Sequence, residues 1–297
     1  MRLFHKKGKQ KSDDIRKRSI QEERKYLLTP KSDFFIREAY KTLRTNVSFA
    51  LGAEEGCKVI VVTSSLQGEG KSITAINLAM SYAMTDRKVL VVDCDLRRPK
   101  LARLLQMNAK SGLSDLLMDP KKKTEAVIPS GIENLDVILS GKIPPNPSEL
   151  LGSPRMKVLL DELKESYDYI FLDSPPVNIV TDAVVLAPES NGVLFLVRVN
   201  QSERGAVIHA LEQLEYANIK ILGFVLNGVD LEKTHYGYKK YRYGRYLRYG
   251  KYGYGRYGYG RYGYGYGRNG YGYGYSSTMP PAYVADYQPE EPRNEER

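Results

Sequence analysis

Six short apolar runs rich in β-branched residues, alternating with stretches of helical spacing, constrain this chain more than anything else in it. They are KVIVVTSS (58–65), KVLVVDCD (88–95), LDVILSG (135–141), YDYIFLDSPP (167–176), NGVLFLVRVN (191–200) and ILGFVLNGV (221–229). None alternates apolar with polar residues, so both faces of each strand need cover, the pattern of parallel strands flanked by helices. The expected fold is α/β, a doubly wound, mostly parallel sheet whose ligands bind at the carboxyl ends of the strands. Ahead of the first run, DFFIREAYKTLRTNVSFALG (33–52) sets Phe35, Tyr40, Leu43, Val47 and Leu51 at helical spacing, with Asp33 as the cap and Gly52 as the stop.

The polar residues at the strand ends carry the chemistry. Between the first strand and the helical pattern ITAINLAMSYAM lies SSLQGEGKS (64–72). Glycines there let backbone N–H groups turn toward phosphates, Lys71 reaches the terminal phosphates, and the Ser72 hydroxyl is a ligand for Mg²⁺. Ser65 stands where the P-loop consensus has its first glycine. The second strand ends in VVDCDLRRP, whose Asp93 and Asp95 point the same way and repel each other unless a cation lies between them. The fourth ends in IFLDSPP, where Asp173 matches the carboxylate of a Walker B strand. Arg97 and Arg98, just after the paired aspartates, suit either a transferring phosphate or the start of a surface helix.

Charge separates the ends from the core. Residues 1–25 carry ten Lys/Arg against four Asp/Glu, residues 236–275 nine against none, and residues 276–297 two against five, leaving about −2 for residues 26–235. Basic ends attract anionic surfaces, and charge alone fits a membrane leaflet as well as nucleic acid. No apolar run reaches the ~18–20 residues of a membrane span, and no secretory h-region follows the first basic residues, so a cytoplasmic protein is expected. Cys57 and Cys94 have no metal-site spacing and read as reduced structural thiols. Residues 236–275 hold sixteen Tyr and thirteen Gly, mostly as YG and RYG repeats, too poor in aliphatic side chains to offset the entropy of ordering. The expected division is a basic segment over 1–30, an ATP-binding domain over 31–232 and a disordered tail over 233–297.

These motifs, with EAYKTLRTN (Glu38–Asn46), the loop SGKIPPNPSELLGS (Ser140–Ser153) and the tyrosine cluster, resemble the bacterial tyrosine kinases, which share a deviant-Walker P-loop fold. The resemblance implies ATP and Mg²⁺ as cofactors, with the loop of Gly68, Glu69, Gly70, Lys71 and Ser72, continued by Ile73, around the nucleotide and Asn227 at the adenine. It implies Ser72 with Asp95 or Asp173 as metal ligands, Lys71, Asp93 and Asp95 as catalytic residues, and Asp93 facing the incoming phenol. The implied phosphoacceptors are Tyr252, Tyr254, Tyr257, Tyr259, Tyr262, Tyr264, Tyr266, Tyr271, Tyr273 and Tyr275, modified in trans within a ring. Subunit contact falls to Glu38, Lys41 and Arg44, where Lys41 replaces the arginine usual in the family's ExxRxxR. Gln67 likewise stands where a proline is common. The split form of the family further implies a membrane-spanning adaptor, peripheral recruitment to the inner face of the membrane, and protein substrates in capsular or exopolysaccharide synthesis. Two other readings compete: a septum-positioning or partition-type ATPase, whose signature lysine would stand at Leu66, and an RNA-binding protein acting through its RYG repeats.

Overall fold

The computed structural model describes residues 21–53 and 55–229. Seven strands form one sheet in the order β3-β4-β2-β5-β1-β6-β7: β1 (Lys58–Ser64), β2 (Val89–Asp93), β3 (Val127–Ile132), β4 (Leu135–Ile138), β5 (Tyr169–Asp173), β6 (Gly192–Arg198) and β7 (Ile221–Asn227). Every neighbouring pair is parallel except β3 with β4. The chain runs from β1 to one side for β2 to β5 and to the other for β6 and β7, so strand order reverses at β1, where such sheets open a ligand crevice.

Both faces of the sheet are packed, which is why the strands lack alternation. Along β1, Val59 and Val61 enter one apolar core, and Ile60 and Val62 the other. The second core is covered by α1 (Phe34–Leu51) and α2 (Lys71–Ala83), with α3 (Leu101–Leu105) beside them. Helices α4 (Leu113–Met118), α5 (Lys123–Ala126), α6 (Pro147–Leu151), α7 (Pro154–Lys164), α8 (Asp182–Leu186) and α9 (Arg204–Tyr216) follow, most of them supplying residues to the first core. Helix α1 starts as expected, with the Asp33 carboxylate accepting from Phe35 N at 2.8 Å, and stops at Gly52, whose φ of 76° few other residues adopt.

Two features differ from expectation. The antiparallel edge strand β3 is absent from the expected series, because Pro129 and Gly131 read as turn residues; an edge position tolerates the missing N–H. Packed structure also begins upstream of residue 31. Leu28 is buried and its N–H donates to Asn77 Oδ1 at 2.8 Å, while Lys100 pairs with Glu23 at 3.1 Å. The basic residues 1–20 and the tyrosine cluster lie outside the described residues. Among the described residues no helix is long and apolar enough to cross a membrane.

Candidate active site

The segment between β1 and α2 is bent by two left-handed glycines, Gly68 (φ 82°) and Gly70 (φ 98°). Gly70 meets a second constraint: a Cβ there would lie 2.0 Å from Asn227 Nδ2, which donates to Glu69 O at 2.9 Å from the end of β7. Lys71 opens α2, with Nζ 3.2 Å from Ser64 Oγ. Burial lowers the Lys71 pKa, and the charges of Asp173, Asp95 and Glu69 act against that shift. A buried lysine thus stands at a helix N-terminus, an arrangement suited to phosphates.

Adjacent strands bring the carboxylates together. Asp93 and Asp173 are register partners on β2 and β5, and both are buried. Burial raises the pKa of each; the Asp173 charge adds to the rise at Asp93, while hydrogen bonding by Ser72 and the Lys71 charge lower Asp173. Asp173 Oδ1 is buried without a hydrogen-bond partner, which a bound cation would satisfy. The oxygen-only donor set of Ser72, Asp173 and Asp95 suits Mg²⁺, and among the described residues no His/Cys/Asp/Glu trio forms a metal site unaided. Asp93 is differently engaged: Oδ1 accepts from Asp95 N at 3.3 Å and Oδ2 from Leu101 N at 3.1 Å. Each Asp93 oxygen thus holds one backbone N–H, and the residue is fully buried, whereas Asp95 is the more open of the pair. Asp95 is half-buried, and its Oδ1 accepts from Arg98 N at 2.8 Å.

The two arginines part company. Arg97 is held by Asp182, a fully buried carboxylate on α8, with Nε 3.2 Å from Oδ2, and it also donates to Ser148 Oγ at 2.9 Å. Ser148 itself donates to Asp182 Oδ1 at 2.6 Å. Arg98 stays beside the phosphate loop, its Nη1 donating to Gln67 Oε1 at 3.1 Å. Arg97→Ala is expected to cost about 1–3 kcal/mol, because it removes a charged partner from a buried carboxylate. A denaturation midpoint equal to wild type would rule out that structural role. Of the expected subunit-contact residues, Glu38 and Lys41 pair with each other at 2.7 Å on the surface of α1, while Arg44 donates to the carbonyl and hydroxyl of Ser81 on α2.

An AAA domain matches residues 57–220, the span that carries this geometry. The tyrosine-protein kinase YwqD of Bacillus subtilis is 39% identical over 202 residues, covering 68% of this chain and 85% of the relative. The chain belongs to the bacterial tyrosine kinase family. Another member, the putative tyrosine-protein kinase EpsB of Ralstonia nicotianae, is 39% identical over 216 residues, but those residues are 28% of its length and 73% of this chain. Among solved structures, the kinase domain of the Escherichia coli tyrosine kinase ETK superposes with a TM-score of 0.62 at 34% identity, covering 65% of this chain and 76% of that one. The resemblance first seen in three strand-end motifs thus extends across the bacterial tyrosine kinase domain.

Glu69 was expected in the nucleotide loop, whereas Arg198, Gln201 and Ser202, which no motif disclosed, bond to that loop. The Glu69 carboxylate is buried beneath its own loop, and Arg198, Gln201 and Ser202 reach that loop from the end of β6. Their one sequence signal is Ser65, the departure from the P-loop consensus.

Proposed function

We propose that this chain is an ATP- and Mg²⁺-dependent protein-tyrosine kinase that phosphorylates the tail tyrosines of a neighbouring copy in trans. The observation that carries the reading is the meeting of Lys71, Ser72, Asp95 and Asp173 at the carboxyl ends of β1, β2 and β5, in a chain with sixteen tyrosines over residues 236–275. The magnesium nucleotide supplies, when bound, an activated phosphoryl group with part of its charge neutralised. Lys71 and the N–H groups of Gly68 to Ile73 hold phosphate oxygens, and Ser72 with Asp173 holds the metal. Asp95, the more open carboxylate, orients the phenol and takes its proton, or shares the metal. Asp93 fixes the backbone between Asp95 and Leu101. Asn227 ties the phosphate loop and keeps one amide hydrogen for the base.

Proteins of this family give the rest of the proposal: ring assembly through the α1 surface, a membrane-spanning adaptor, peripheral recruitment to the inner face of the membrane, and control of capsular or exopolysaccharide synthesis. Leu66 argues against a partition-type ATPase, since it places no cation where that class needs one. An RNA-binding role leaves the carboxylates of β2 and β5 unexplained. The test is mass spectrometry of the full chain after incubation with Mg-ATP. Phosphotyrosine within residues 236–287 is expected; ATP turnover without phosphotyrosine would replace the kinase reading with the ATPase one.

A further inference from the structure

Glu69 presents an electrostatic problem. It is a fully buried carboxylate within a loop built to receive anions, where a negative charge opposes phosphate binding. Both of its oxygens nonetheless have donors. Ser65 Oγ donates to Oε1 at 2.9 Å, Leu66 N donates to Oε2 at 2.7 Å, and Ser202 Oγ donates to Oε1. Ser202 Oγ also accepts from Arg198 N at 2.7 Å, which aims its proton at Glu69. Two further ties run the same way: Arg198 Nη1 donates to Gly68 O at 2.7 Å, and Gln201 Nε2 donates to Gln67 O at 3.2 Å.

We propose that Glu69 is a positioning residue that couples the 198–202 loop to the phosphate cradle, with Ser65 as its local support. The hydroxyl of Ser65 gives a reason for the departure from the P-loop consensus: a glycine at that position could not hold the carboxylate. Held from both sides, Glu69 fixes the turn that aims the N–H groups of residues 68–73, and its charge opposes the loss of the proton from Lys71 that burial favours. Cradle and 198–202 loop are therefore set before nucleotide arrives, so that less ordering entropy is lost on binding.

The inference rests on the nucleotide-binding part of the proposed function but not on the phosphoacceptor, so its test reads binding. Mg-ADP affinity is measured with a fluorescent ADP analogue on full-length wild type, Glu69→Ala, Glu69→Gln, Ser202→Ala and the Glu69→Ala/Ser202→Ala double variant, with nucleotide-free melting curves alongside. Glu69→Ala is expected to weaken binding about tenfold, or about 1.4 kcal/mol. Ser202→Ala, a loop change that leaves the core packing untouched, is expected to weaken it about threefold, and Glu69→Gln to recover part of the loss. The double variant should bind no worse than Glu69→Ala, because both substitutions cut one tie. In steady state the KM for ATP rises by the same factor while kcat changes far less, a split that loss of folded protein does not produce. Affinities within twofold of wild type for both single variants, or additive losses in the double, would overturn the coupling. Wild type that binds no Mg-ADP would overturn the nucleotide reading itself.

Discussion

Lys71→Met is expected to lower autophosphorylation by about 10²–10³-fold, the loss typical of removing one preorganised charge from a transition state. The reason lies in its surroundings. Lys71 is buried at the first residue of α2, where desolvation lowers its pKa and the charges of Asp173, Asp95 and Glu69 oppose that shift. Methionine keeps the volume of the stem and removes the charge, so the fold should survive; the desolvation relieved at Lys71 offsets part of the support lost by the carboxylates. The nucleotide-free melting temperature should therefore move by only a few degrees, while the initial rate of phosphotyrosine formation collapses. A variant that is folded and still retains more than one-tenth of the wild-type rate would remove Lys71 from the phosphate site.

Such a sharp statement about Lys71 was available from the sequence because its signal is local. A strand, a glycine-rich turn and a helix occur within residues 58–83, and the chemistry of each residue follows from its place in that unit. The six expected strands all occur, although the apolar runs continue past several of the strand ends. Asp95, for example, lies beyond β2, where the chain has left the sheet to form the site. The antiparallel strand β3 was hidden because Pro129 and Gly131 speak for a turn, and its pairing with β4 is set by tertiary context. Roles that depend on distant partners were equally hidden. Nothing near Arg97 announces Asp182, 85 positions away, and nothing near Glu69 announces Ser202, 133 positions away. The different surroundings of Asp93 and Asp95 were also out of reach, because the Asp–x–Asp spacing puts two equivalent carboxylates at a strand end. It is the turn into α3, with Leu101 N bonded to Asp93, that makes them unequal.

The same burial makes Asp173 the origin of a pH dependence whose sign reverses when metal and nucleotide are present. Burial pushes its carboxyl from 3.8 up to about 7, with the Ser72 hydrogen bond and the Lys71 charge opposing the rise. A carboxyl whose folded pKa is raised binds more protons in the native state than in the unfolded chain across that window. Stability of the nucleotide-free protein is therefore greatest below about pH 4 for this group and is lost as pH rises toward 7. Asp173→Asn removes the titration and keeps the shape. At about pH 8 the nucleotide-free variant is expected to be more stable than wild type by roughly 1–4 kcal/mol, the free-energy equivalent of so large a displacement. Near pH 4 the two should converge. Asp93, raised in the same way, keeps a share of the slope in both proteins. Adding Mg-ADP should invert the order at the alkaline end. Wild type gains stability by mass action, because the metal satisfies the orphaned Oδ1, while the neutral amide introduced by Asp173→Asn is a weaker ligand and the variant gains less. Denaturation midpoints from about pH 4 to 8, with and without Mg-ADP, decide the matter. Parallel curves for the two proteins in the nucleotide-free series would mean that Asp173 is an ordinary surface-like carboxylate, and its assignment to the metal would fall with the prediction.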